Sequence, residues 1–253
     1  MKTPLLLDTK RMAVHDGPGI RTAFFVKGCP LKCPWCHNPE AISPERQIAR
    51  FRHLCTGHTP CTMDEMTCPT RAFKVYGKEW TIEQIVDKAC EDKAFYDASG
   101  GGVTISGGEP LLYFEWLEVL LKALKSKDLH TAVDTTLYAA PSAIENLLPL
   151  VDIWLVDYKA HDSSLHQRLT GVPNEPIKRN LEWLVAQKAQ IEIRIPVIPG
   201  CNDSEENLQE SESYLHGIGI DKIVRLEYHD LARSKYLALG MEDTMPPLPA
   251  KDN

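Results

Sequence analysis

Short runs of β-branched and aromatic residues recur along the chain, separated by stretches in which apolar residues return every three or four positions. Ile20–Val26 closes on Phe24-Phe25-Val26 and reads as a buried strand. Val103–Ser106, His130–Asp134, Ile153–Asp157, Ile191–Ile198 and Lys222–Tyr228 read the same way. Between them, Leu111–Lys125 sets Leu117, Leu120, Leu121 and Leu124 on one side of a predicted helix. Pro141–Leu148, Glu175–Gln187 (with Pro176 in its first turn) and Glu205–Leu215 are further predicted helices. Another begins at Thr81, which forms a capping-box pattern with Gln84 ahead of Ile85, Val86 and Ala89. Strands alternating with helices predict an α/β fold, a parallel sheet covered by helices. Residues 41–78 interrupt the pattern; Pro44, Gly57, Pro60 and Pro69 punctuate them and they are expected to be irregular.

Polar residues gather where the predicted strands end: Asp134 with Thr135, Asp157 with Lys159, Arg194 within a strand, and Glu227 with His229. In α/β folds the carboxyl ends of parallel strands are where ligands bind, so the series predicts a shared cavity. The chain has 253 residues, enough for one large α/β domain with a small insert. Its net charge of -7 argues against binding a phosphate backbone, so no nucleic acid partner is expected. No apolar run approaches the ~20 residues that cross a bilayer, and Met1–Asp8 breaks off too soon for a signal peptide core. A cytoplasmic monomer is the expectation.

Cysteine changes the picture. Six of the eight lie between Cys29 and Cys68, too clustered for a disulfide framework in a reducing compartment, and they point to metal. Cys90 falls on a helix face and Cys201 in a turn. The densest segment is Gly28-Cys29-Pro30-Leu31-Lys32-Cys33-Pro34-Trp35-Cys36-His37-Asn38-Pro39. Three thiols at this spacing can hold an iron–sulfur cluster. Structural zinc wants four closed ligands; His37 is the available fourth, but it directly follows Cys36 and adjacent side chains tend to point apart.

This loop, C-x3-C-x2-C with an aromatic before the last cysteine, resembles the signature of the radical S-adenosylmethionine (SAM) enzymes. Asp16-Gly17-Pro18-Gly19-Ile20-Arg21 and Ser99–Pro110, which contains Gly107-Gly108-Glu109, resemble the activating enzymes of glycyl radical enzymes, the pyruvate formate-lyase activating enzyme type. Val133-Asp134-Thr135, Leu155–Lys159, Leu169–Val172, Ile193-Arg194, Val197–Gly200 and Tyr228-His229 extend the resemblance from about residue 14 to 241. It implies a partial (β/α)6 barrel as a core domain over residues 14–241. It also implies a 4Fe-4S cluster on Cys29, Cys33 and Cys36 with one open iron that chelates SAM. Such an oxidoreductase cleaves SAM reductively to a 5′-deoxyadenosyl radical, which takes a hydrogen atom from a glycine of a partner glycyl radical enzyme. A flavodoxin or ferredoxin would supply the electron. The alternatives are a radical SAM enzyme acting on a small molecule or peptide, and a non-catalytic iron–sulfur electron carrier. The first has no length for a substrate domain, and the second no use for a nucleoside pocket.

The resemblance also distributes roles. Gly107, Gly108 and Glu109 would meet the SAM amino group, although Glu109 can instead cap the helix that follows. Asp157 and Lys159 would meet its carboxylate and ribose, with Tyr158 contributing backbone. A monovalent cation would sit between Asp134, Thr135 and Asp157. Arg194, costly to bury unpaired, would contact SAM or the partner's backbone. Trp35, Cys36 and His37 would line the adenine side, His229 the adenosine, and Asp16 the reacting glycine. Cys55, Cys61 and Cys68-Pro69 form a short degenerate ferredoxin-like insert over residues 50–78. It either binds no metal, binds zinc, or holds a second cluster with His53 or His58 as fourth ligand. The family usually continues into a closing helix, whereas here Pro246-Pro247-Leu248-Pro249 follows Met241 within a few residues, which puts stability and partner docking in question.

Overall fold

The structure is a computed structural model and describes residues 1–57 and 66–248. The elements are β1 (Leu6–Ala13), β2 (Arg21–Val26), β3 (Gln47–Arg50), β4 (Phe73–Tyr76), α1 (Ile82–Cys90), α2 (Lys93–Ser99), β5 (Gly102–Gly107) and α3 (Phe114–Lys125). There follow β6 (Thr131–Thr135), α4 (Pro141–Leu147), β7 (Ile153–Asp157), α5 (Ser163–Thr170), α6 (Glu175–Ala186), β8 (Ile191–Val197), α7 (Glu205–Gly217), β9 (Ile223–Glu227) and α8 (Arg233–Ala238).

The main sheet runs in the order β1-β2-β5-β6-β7-β8-β9. From β2 to β9 every pairing is parallel, and these are the six strands predicted from the sequence. The order follows the chain and the ends do not pair, as in an open partial barrel. β1 was not expected: it pairs antiparallel with β2 with two register irregularities, so the sheet starts ahead of residue 14. β3 and β4 correct the expectation that residues 41–78 are irregular, since they form an antiparallel pair there. Residues 58–65 lie outside the described residues, and with them His58 and Cys61 of the insert. Cys55 and Cys68 are unpaired as disulfides, Cys55 exposed.

Helix α1 begins as predicted, with Thr81 Oγ1 accepting from Gln84 N at 3.2 Å and Gln84 Oε1 from Thr81 N at 2.9 Å. α3 starts three residues later than expected, because Pro110–Tyr113 form a 3-10 turn first. Strand alternation then sorts the core. Val103, Ile105, Val133, Trp154, Val156, Ile193 and Ile195 join the leucines of α3 in the layer between sheet and helices. The alternate positions carry a small cluster of Ala132, Ile153 and Leu155, and above it the polar residues Ser106, Asp134, Asp157 and Lys159 at the strands' carboxyl ends.

Candidate active site

The cysteine loop leaves β2 and is rooted on its neighbours through backbone. Gly28 N donates to Ala41 O at 2.6 Å, Cys29 N to Ile42 O at 3.1 Å and Lys32 N to Thr170 O at 2.8 Å. At the end of β5, Gly107 has φ +111°, and a Cβ on Gly108 would lie 2.2 Å from Gly28 O. Gly107 therefore needs glycine for its φ and its closeness to the β2 backbone at Val26, and Gly108 because the two loops touch, apart from any demand of a ligand.

Between these loops and the strand ends lies a cavity of about 300 Å³. Cys29, Cys33, Trp35, Cys36 and His37 line it on one side; Gly107, Gly108, Asp134, Asp157 and Lys159 line it on the other. Asp16 sits at its rim, with Lys10 Nζ 3.3 Å from its carboxylate. Among the described residues, no three His, Cys, Asp or Glu side chains converge as on a single metal ion. His37 is directed to His229, its Nε2 2.8 Å from the His229 carbonyl and the two rings stacked at 4.0 Å. A tetrahedral zinc with His37 as fourth ligand does not match this arrangement, whereas three thiols around a cavity suit a larger iron–sulfur centre. Burial pushes the thiols up, Cys36 to about 12, so their protons leave only when a cation supplies the compensating charge.

The polar side is a network of opposed charges. Ser106 Oγ donates to Asp134 Oδ2 at 2.7 Å, and Lys159 Nζ donates to Asp157 Oδ2 at 2.8 Å. Burial, then the charge of Asp157, raises Asp134 to about 6. Burial acts to lower Lys159, but Asp157 and Cys33 outweigh it and the ammonium is held. Arg194 lies 4.0 Å from Asp134, donates to Glu192 at 3.2 Å, and donates to the backbone carbonyl of His15 at 3.0 Å. It thus braces the Asp16 segment against the site. It is paired, as its burial requires, but it does not line the cavity.

Other expected site residues do not line the cavity with their side chains. Glu109 is fully buried behind the cavity; its carboxylate accepts from Leu111 N, Thr135 Oγ1, Thr136 N and Thr136 Oγ1 at 2.6–3.1 Å. It caps the turn before α3 and does not face a ligand. One of these bonds engages the hydroxyl of Thr135, leaving its backbone as the part that could face the expected cation site. Tyr158, flanked by Asp157 and Lys159, points to the opposite face of the sheet, its hydroxyl 3.1 Å from His161 Nδ1. His229 reaches the cavity only through its contact with His37. Other residues escaped the sequence reading. Thr104 Oγ1 donates to Asp16 O at 2.6 Å and accepts from the buried Arg21, and Tyr228 lines the cavity beside His37. Asn202 donates to Lys159 O at 2.7 Å and to Pro196 O at 2.6 Å, fixing the segment that carries Lys159.

An open parallel sheet with a three-cysteine loop over its carboxyl edge, facing carboxylates and a lysine, defines a radical SAM protein. The family model of the Radical SAM superfamily matches residues 24–211. The Klebsiella oxytoca (2S)-3-sulfopropanediol dehydratase activating enzyme is 35% identical over 94% of this chain and 86% of its own length. The Thauera aromatica benzylsuccinate synthase activating enzyme is 35% identical over 95% and 83%. The Escherichia coli pyruvate formate-lyase 2-activating enzyme is 34% identical over 97% and 84%. Streptococcus suis SuiB shares the fold, with a TM-score of 0.57 at 17% identity over 81% of this chain and 38% of that one. The chain belongs to the glycyl-radical-enzyme activating enzymes of the radical SAM superfamily.

Proposed function

We propose that this chain installs a glycyl radical on a partner glycyl radical enzyme, with Cys29, Cys33 and Cys36 as the cluster ligands and Asp134, Asp157 and Lys159 as the SAM-holding groups. The observation that carries the assignment is their placement on opposite walls of one cavity, with Asp16 at its rim. Cys29, Cys33 and Cys36 would hold a 4Fe-4S cluster, which, once reduced by the electron donor, would supply the electron for reductive cleavage of SAM to methionine and the 5′-deoxyadenosyl radical that abstracts the glycine hydrogen. The protein's own groups bind and orient. Lys159 and Asp157 offer opposite charges 2.8 Å apart to the zwitterionic end of SAM, and Gly107 and Gly108 let ligand approach the backbone. Trp35, His37 and Tyr228 give flat surfaces for the adenine and exclude water. Asp16, fixed by Thr104 at its carbonyl and by Lys10 at its carboxylate, lies where the partner's glycine loop would enter.

Burial of Asp134, with the nearby carboxylate of Asp157 adding to it, raises its carboxyl and supports a monovalent cation beside Asp134, Thr135 and Asp157. A flavodoxin or ferredoxin would be the electron donor, and a cytoplasmic monomer the working form. Within the core of residues 14–241, the insert of residues 50–78 is read as dispensable for SAM cleavage. The exposed Cys55, and Cys68 hydrogen-bonded to Thr70 at 3.4 Å, support this. A second metal centre there would serve electron relay or the fold. The test is anaerobic reconstitution with iron and sulfide, then SAM, dithionite and a candidate glycyl radical enzyme from the same organism. 5′-Deoxyadenosine and a glycyl radical signal on the partner are expected. Full SAM cleavage by Cys29→Ala, Cys33→Ala or Cys36→Ala would overturn the assignment.

A further inference from the structure

The half of the cysteine loop that carries Cys33 and Cys36 lies outside any strand or α-helix, and its ordering comes from the far end of the chain. Tyr236 Oη lies 3.1 Å from Cys36 O and 3.4 Å from Pro34 O. Thr244 Oγ1 donates to Pro34 O at 2.8 Å. Lys235 Nζ donates to His37 O at 2.9 Å, Asn38 Oδ1 at 3.2 Å and Glu40 Oε1 at 2.7 Å. These donors do not float. Arg233 bonds Asp243 at 2.7 Å and Pro246 O at 2.5 Å, while Tyr228 Oη donates to Pro246 O at 2.6 Å. Met245, Ala232 and Tyr236 form a small buried cluster beneath. Residues 242–248 are therefore tied down although they form no helix.

We propose that residues Arg233–Pro246 form a clasp on the cysteine loop, with Lys235, Tyr236 and Thr244 as positioning residues that hold Cys33 and Cys36 in their iron-binding arrangement. The inference rests on Cys29, Cys33 and Cys36 being the cluster ligands. A loop of this kind loses conformational freedom when it takes up iron, and donors that fix its carbonyls beforehand remove much of that cost. They also keep the loop in place when one cysteine–iron bond opens, so the bond re-forms before the cluster is lost. Lys235 has a second duty, since it pairs the carboxylate of Glu40, whose other oxygen is buried without a partner. Removing Lys235 would damage the fold itself, so the cleaner probes are the two hydroxyls.

The experiment uses the full chain with Tyr236→Phe and Thr244→Val combined. Three readouts are followed: release of iron from the anaerobically reconstituted protein to a chelator, deuterium exchange at amides 33–38 of the iron-free protein, and Tm. Two hydrogen bonds of ordinary strength predict iron release about tenfold faster or more. Exchange should quicken in the loop alone, Tm should stay within a few degrees, and restoring the hydroxyl as Thr244→Ser should slow release again. Release within twofold of wild type with loop exchange unchanged overturns the clasp. So does a collapse of Tm with exchange rising across β5 to β8, which would mark a general packing role. Full iron retention by Cys33→Ala in the same assay overturns instead the ligand assignment beneath it.

Discussion

Replacing Asp134 with asparagine should stabilise the ligand-free protein above pH 6 while impairing its chemistry. Asp134 ends β6 inside the cavity, and burial followed by repulsion from Asp157 lifts it from 3.8 to about 6; Arg194 and Ser106 offset this only in part. A carboxyl whose folded value is raised binds its proton more tightly folded than unfolded. Its contribution to stability is therefore complete below about pH 4 and is lost as pH rises through about 6. Two units at 1.36 kcal/mol each set an upper scale of about 3 kcal/mol. The side chain is 20% exposed, so solvent screens part of this, leaving a gain of about 1–2 kcal/mol for the variant at pH 7.5. Asparagine keeps the shape and still accepts from Ser106 Oγ. Urea melts of the iron-free, SAM-free protein from pH 4 to 8 measure the difference. The expected result is near-identity at pH 4 and a widening advantage for Asp134→Asn up to pH 7. A variant less stable than wild type at pH 7.5, or an advantage independent of pH, would refute the account of the site as electrostatically strained. Carboxylates gathered for function commonly cost stability in this way.

Changing Asp157 or Lys159 to alanine should weaken SAM binding about ten- to a hundredfold in equilibrium dialysis while the iron content is kept, since a charge-assisted hydrogen bond is worth roughly 1.5–3 kcal/mol; lost iron with unchanged affinity would reverse the assigned roles. Serine at Cys55, Cys61 and Cys68 together should leave 5′-deoxyadenosine formation with dithionite intact, and equal iron and equal zinc per chain in both forms would show the insert to be metal-free. Failure of that triple variant to cleave SAM with its main cluster present would place the insert in the chemistry. Glu109→Ala should lower stability by about 2–4 kcal/mol, because it strands the amides of Leu111 and Thr136 and two hydroxyls in the core; chemical denaturation measures this, and SAM affinity of the folded fraction should not change.

The parts of this fold legible from sequence are those in which local pattern and tertiary fate agree. β5 to β8 are short apolar runs bounded by turns, and α1 declares itself through Thr81 and Gln84, whereas β9 forms as expected but is largely exposed. β1 does not, because only Leu6, Leu7 and Ala13 of its eight residues are buried; its strand state comes from the edge of β2. β3 and β4 are four residues each, below the length at which alternation is distinguishable from chance. The polar side chains divide the same way. Tyr158 is expected to contribute backbone only, and alternation agrees, since its side chain takes the face opposite to that of Asp157. Glu109 was ambiguous for a physical reason: the end of a parallel strand is both where ligands bind and where the next turn needs a cap, and a carboxylate serves either. Only its four buried donors decide. Arg194 is expected to contact SAM or the partner's backbone, yet it bonds the His15 carbonyl, 179 residues away, and Tyr236 reaches Cys36 across 200. Contacts of that kind have no local signature. In the proposed clasp, those that reach residues 34–38 matter as much as the spacing, because spacing fixes only which thiols are available, while the distant donors would hold the loop that carries them.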